Sequence, residues 1–163
     1  MFVRWLVYLH VLSTLTFFLA HGASAALAFK LQKERDVNRI RAMLDLSGST
    51  FAWMGISLLM LGITGILLAF LVHLWDRIYI WISIVLMIVT VVYMAVISAS
   101  RYSQLRQLVG LPYRKGNKDM PAEPPSGREA LETLLKKSNL LSLVFSGYVI
   151  PAVVLWLMMF KPF

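Results

Sequence analysis

The chain contains no cysteine. That removes disulfides, thiolate metal sites and cysteine nucleophiles together. Charge is almost as scarce: 15% of the 163 residues are Asp, Glu, Lys or Arg, against 59% hydrophobic, and the mean hydropathy is +0.72. Ordinary soluble domains carry about 25% charged residues. A soluble chain of this length could not bury so much apolar surface, so the bilayer must be its solvent. Histidine occurs only at His10, His21 and His73. There is no internal repeat, Walker loop, dinucleotide glycine fingerprint or zinc-protease helix.

What the sequence does have is four apolar runs, at residues 5–29, 51–75, 78–99 and 140–160. Each approaches or exceeds the roughly 20 residues that cross a hydrocarbon core, and none contains Asp, Glu, Lys or Arg. The expected fold is all-α: a single integral-membrane four-helix bundle, with loops at 30–50 and 100–139. The link from Trp75 to Ile78 is a tight turn, so the second and third spans should form an antiparallel hairpin.

The net charge of +8 would suit a nucleic-acid binder if it were concentrated on one soluble face. Instead the basic residues fall in the two long loops. The first holds Lys30, Lys33, Arg35, Arg39 and Arg41; the second holds Arg101, Arg106, Arg114, Lys115, Lys118, Arg128, Lys136 and Lys137. Only Arg4, Arg77 and Lys161 fall on the other side. The positive-inside rule makes both loops cytoplasmic and both termini external, which reads the charge as topology and leaves no case for nucleic acid. Trp5, Trp75, Trp81 and Trp156 then form an outer aromatic belt. A signal-peptidase reading of Ala23-Ser24-Ala25 would put the basic "KLQKERDVNRIR" outside, against that rule. The first run is therefore read as a span.

The second loop opens with "GLPYRKGNKDMPAEPPSG", dense in Pro, Gly and charge, which reads as an irregular linker. Ser126 followed by Glu129 has capping-box spacing and should start a short helix that feeds the last span.

The histidines are the candidate chemistry. His10 and His21 are eleven residues apart, about 20° around a helix and roughly 16 Å along it, so they share a face. Ser13, Thr14, Phe17, Ser24, Ala25 and Ala28 lie on or near that face, and Leu12, Leu15 and Leu19 lie opposite. Small and polar residues belong at helix contacts in a membrane, so both histidines should point inward. In the second span Gly55, Gly62, Ile66 and Ala69 fall near the face of His73, with Gly65 at its edge. Such glycines admit a neighbouring helix or a flat ligand. His10 and His73 should lie at matched depth near the outer boundary, as a bis-histidine haem would need. The candidate metal ligands are thus His10 and His73, with Gly62, Gly65 and His21 as further cofactor-binding candidates. His21 could hydrogen-bond a neighbour, bind a quinone or ligate a second cofactor. The competing readings are packing or interfacial histidines, a metal ion or a chlorin. Ser83, Met87, Thr90, Met94 and Ser98 form a stripe on the third span that reads as adaptable core.

Without intramembrane carboxylates or lysines, proton-coupled transport is not expected. No serine, histidine and acid can be assembled at one depth, so no catalytic residue is assigned. Haem-based electron transfer or haem handling remains, since the cofactor would carry the chemistry. So does a cofactor-free accessory subunit of a larger respiratory or photosynthetic membrane complex.

The "YLHVL" start, the "KLQKERD" loop and "GITGILLAF" in the second span resemble a group of small bacterial membrane proteins of unknown function. That group is similar to the wider CopD-like superfamily, which includes copper-resistance D proteins and HemJ-type protoporphyrinogen oxidases. The resemblance covers mainly the first two spans. It implies a helical bundle in a bacterial inner membrane, with an N-terminal histidine at a haem or copper site, here His10. HemJ-type enzymes pair that histidine with a lysine in the third span, and residues 78–99 contain none. Copper handling would call for a Met-rich or His-rich outer segment, which is also missing.

Overall fold

Four long apolar helices, each able to cross a membrane, dominate a computed structural model that describes residues 1–116, 118–137 and 140–162. They are α1 (Phe2–Leu31), α2 (Val37–Leu71), α3 (Ile78–Leu108) and α5 (Leu140–Phe160). The short helix α4 (Arg128–Lys137) precedes α5. α1 packs along α2, α3 along α5, and the first half of α5 meets α1. The protein is a multi-pass membrane protein of all-α bundle type.

Its radial pattern is that of a bundle in lipid. The bundle-facing positions include Ser13, His21, Ser24, Ser57, Thr64, Ser83, Thr90 and Ser146, whereas Leu15, Leu19, Leu59, Ile88 and Val92 face outward, Leu19 with 76% of its surface exposed. Water would drive the opposite arrangement; lipid tails are as apolar as leucine, so small and polar residues take the contacts. On α1 the buried set is Leu6, Ser13, Phe17, His21, Ser24, Ala25 and Leu31, the face expected from the sequence. The stripe on α3 is likewise inward: Ser83, Thr90 and Met94 are buried.

At 1.5 Å per residue, the 35 residues of α2 span about 52 Å, well beyond a hydrocarbon core of about 30 Å. The surplus corrects the expected loop at 30–50. Only residues 32–36 connect α1 to α2, and α2 starts at Val37, where the Asp36 carboxylate accepts the Asn38 amide at 2.8 Å. Residues Val37, Ile40, Met43 and Leu44 carry a helical period that the surrounding charge obscures. α3 likewise runs past residue 99 to Leu108.

These extensions and α4 build a cap on the basic side. Leu31, Ile40, Leu44, Val109, Leu131 and Leu135 form its core. Outside lipid, burying each such side chain contributes roughly 2 kcal/mol. Polar ties close the rim: Arg41 Nε donates to the Val109 carbonyl at 2.6 Å, Gln32 to the Leu135 carbonyl at 3.3 Å, and Arg106 pairs with Asp45 at 2.8 Å. The stretch expected as an irregular linker contains an antiparallel hairpin, β1 (Tyr113–Lys115) and β2 (Lys118–Met120). α4 begins at Arg128, two residues after the Ser126 whose amide bonds the Leu108 carbonyl at 3.0 Å.

Two turns of π-helix interrupt the spans, at Met94–Ser98 in α3 and Phe145–Val149 in α5. The second has a local cause. Pro151 lacks an N–H and its ring crowds the carbonyl four residues back, at Gly147, so the helix widens ahead of it.

Candidate functional site

The three histidines occupy three different environments. His10 stands on α1 against α2, where its Nδ1 lies 2.9 Å from Thr64 Oγ1. Thr64 is buried, and its one hydroxyl proton goes to the Met60 carbonyl at 2.7 Å, with the Leu61 carbonyl at 3.2 Å sharing it. With that proton committed to the backbone, the oxygen is assigned as acceptor of Nδ1–H, the tautomer of the neutral ring that leaves a lone pair on Nε2. Gly65 makes the approach possible: a Cβ there would lie 3.1 Å from His10 Cε1.

His21 is enclosed. It is 2% exposed, with the Phe17 ring stacked on it at 5.8 Å and the Tyr148 ring edge-on at 5.0 Å. Neither ring nitrogen has a hydrogen-bond partner. Nε2 abuts Gly147, where a Cβ would come within 1.8 Å. The reciprocal contact lies beside it, since a Cβ on Gly22 would meet the Tyr148 hydroxyl at 2.7 Å. Adjacent residues of α1 and α5 thus exchange a ring for a glycine, which lets the backbones close.

His73 lies beyond the end of α2 and is exposed. Its amide bonds the Phe70 carbonyl at 3.4 Å, and the Leu74 amide bonds the Ala69 carbonyl at 2.9 Å. This is a Schellman stop, and His73 fills its left-handed position with φ 53°. The expected match in depth between His10 and His73 is therefore not what the helices produce. His10 sits opposite Thr64, nine residues before His73, and the structure does not bring the two imidazoles together.

The glycines divide as well. Gly65 lies under the His10 ring, whereas Gly62 and Gly55 are exposed and a Cβ on either would meet nothing within 4 Å. The face expected through Gly55, Gly62 and Ile66 turns outward, because α2 presents Met54, Ser57, Thr64 and Ala69 to the bundle. The flat groups lying on the bundle's inner glycines are the chain's own rings.

No family model, curated protein or solved structure matches the chain. The site therefore has to be read from its geometry. Among the described residues no three His, Cys, Asp or Glu side chains gather at one point. The residue that sequence reasoning missed is Thr64. A signal for it existed: Ser57 and Thr64 stand seven residues apart, two helical turns, on the face that the bundle buries. The partners of His21 had a fainter one, since His21-Gly22 in α1 mirrors Gly147-Tyr148 in α5.

Proposed function

We propose that the protein is a bacterial inner-membrane haem-binding protein, with both termini outside and the basic cap in the cytoplasm. His10 would hold the haem iron through Nε2, and the role is electron transfer or haem handling. The observation that carries this reading is the Thr64 contact. A ligating histidine characteristically donates its other N–H to an acceptor that sets tautomer and ring orientation, and Thr64 Oγ1 does this for His10. The donor set fits a b-type haem, which needs an imidazole nitrogen with a free lone pair. When bound, the haem would supply the redox chemistry. The chain supplies the ligand, its orientation through Thr64, and with Gly65 the close approach of α1 to α2. The reading rests on His10 and not on the His10–His73 pair. It also accords with the CopD-like resemblance, which points to the same histidine.

A visible spectrum of the purified protein tests it. A Soret band lost in His10→Ala and shifted or weakened in Thr64→Val is the expected result. A colourless, folded protein after expression with ample haem overturns it.

One observation favours a second reading, a cofactor-free accessory subunit of a larger membrane complex. Gly55 and Gly62 expose bare backbone seven residues apart on the outer face of α2. Small residues so placed suit a transmembrane helix of another subunit. Gentle solubilisation of native membranes should then recover the chain with partners; migration as a lone monomer would oppose this.

A further inference from the structure

β1 does not leave the bundle but doubles back along α3. Arg106 Nε donates to the Pro112 carbonyl at 2.6 Å, and two residues later the Arg114 amide donates to Ser103 Oγ at 2.8 Å. The strand therefore moves toward the membrane by about three helix residues for every two of its own. Continued to the turn at Gly116, the same slope reaches the level of residues 99–100, where the apolar run of α3 ends. The hairpin is anchored at its base, where the buried Tyr113 donates its hydroxyl to Glu123 at 2.7 Å. At the turn Gly116 takes φ 62°, and a Cβ there would meet nothing within 4 Å.

That tip carries an electrostatic conflict. Lys115 and Lys118 are direct cross-strand partners, and both are exposed. Like charges directly opposite each other destabilise a hairpin, and their Cβ atoms stand only about 5 Å apart. Arg114 is beside them, engaged with Asp119 at 3.7 Å. Glu123 is within electrostatic reach of Lys115, but its carboxylate is occupied by Tyr113 and Gln107. Two paired lysines, projected to the level where the apolar run of α3 ends, offer an anion two positive charges.

We propose that the β1–β2 hairpin is a lipid clasp, in which Lys115 and Lys118 together hold the phosphate of one anionic lipid at the membrane surface. The bound headgroup relieves the lysine–lysine repulsion and fixes the hairpin against the bilayer, and α4 and the cap with it.

The absence of cysteine makes the test clean. Full-length Asp119→Cys, labelled with an environment-sensitive fluorophore, is reconstituted in phosphatidylcholine vesicles with and without phosphatidylglycerol, each carrying a headgroup-level quencher. Quenching should rise when phosphatidylglycerol is present and fall back at high salt. Replacing the lysines (Lys115→Gln, Lys118→Gln) should weaken the lipid preference about fivefold per lysine. Arg35→Gln with Arg39→Gln, basic but distant along the chain, should leave it intact. Three results would overturn the proposal: equal quenching in both lipids, an unchanged response without the lysines, or saturation of the tip by inorganic phosphate in phosphatidylcholine alone. The last would make it a site for soluble anions.

Discussion

Gly147→Ala isolates the contact on which the α1–α5 interface turns. The new methyl would stand 1.8 Å from His21 Nε2, 2.1 Å from Cε1 and 2.5 Å from Cδ2. An ordinary contact is about 3.5 Å, so ring and helix must separate by about 1.7 Å. The ring cannot yield by itself. Phe17, 1% exposed, stacks on one face and Tyr148 closes the edge. Separating the helices would also lift the Tyr148 hydroxyl off Gly22. Overpacking of this kind costs typically 1–3 kcal/mol, and a clash with an imidazole pinned between other rings belongs at about 3 kcal/mol or above. His21→Ala alone should cost less than a usual large-to-small change, because it also removes two buried nitrogens that have no partner. In the His21→Ala background the Gly147 methyl enters vacated space, so the double variant should be more stable than Gly147→Ala by about 2 kcal/mol or more. The assay is the SDS fraction that half-unfolds each variant in mixed micelles, read by far-ultraviolet circular dichroism, as a double-mutant cycle. Additive effects of the two substitutions would refute the ring-on-glycine account.

His73 holds a left-handed position that disfavours every side chain, so His73→Gly should stabilise the end of α2 by about 0.5–1 kcal/mol, seen as a higher midpoint in the same titration. If His10 alone among the histidines ligates haem, that variant also keeps the Soret band; its loss would return His73 to the site. The hairpin base should respond to pH. The Tyr113 hydroxyl, and after it the Gln107 amide, donate to the Glu123 carboxylate and hold it below the usual carboxylate range. A pKa lower in the folded state contributes stability above the unfolded value, about 4.3, and loses it as pH falls through the folded value. Acidification below about pH 4 should therefore loosen the hairpin, measured as faster amide exchange over Tyr113–Met120, and Glu123→Gln should flatten that dependence.

The spans and their inward faces were legible in the sequence because both follow from local periodicity. Leu12, Leu15 and Leu19 on one side of α1, with Ser13, Phe17 and His21 on the other, needed no knowledge of the partner helices. The first turns of α2 were hidden by charge, since a helix that leaves the membrane changes composition without changing conformation. The fate of His73 was hidden for a different reason. "LVHLWDR" has no glycine or proline to announce a stop, and the stop is made by two backbone hydrogen bonds around a left-handed residue that is not glycine. The match in depth with His10 fails on register, since α1 and α2 pack with His10 against Thr64, nine residues short of His73. The setting of His21 is a long-range matter. Gly147 and Tyr148 lie more than 120 residues away, and nothing local says that α5 rather than α3 closes on that face.

The polar groups inside the bundle clarify what the His10 contact is for. Ser13 donates to the Leu9 carbonyl, Thr14 to His10, Ser57 to Met54, Ser83 to Tyr79, Thr90 to Leu86 and Ser146 to Leu143, each on its own helix. Those hydroxyls are satisfied without a neighbour and do little to bind one span to another. Packing does that, through rings laid on Gly22, Gly65 and Gly147. The His10–Thr64 bond crosses between helices, yet such bonds in membranes average only about 0.6 kcal/mol. So small a term is a poor fastener but a complete orienting device, because one N–H donated to one oxygen fixes both the tautomer and the direction of the remaining nitrogen. A bond kept for cohesion would show, on Thr64→Val, a loss of stability and nothing else. A bond kept to aim Nε2 would leave the folded state nearly unchanged and appear in the spectrum of whatever Nε2 holds.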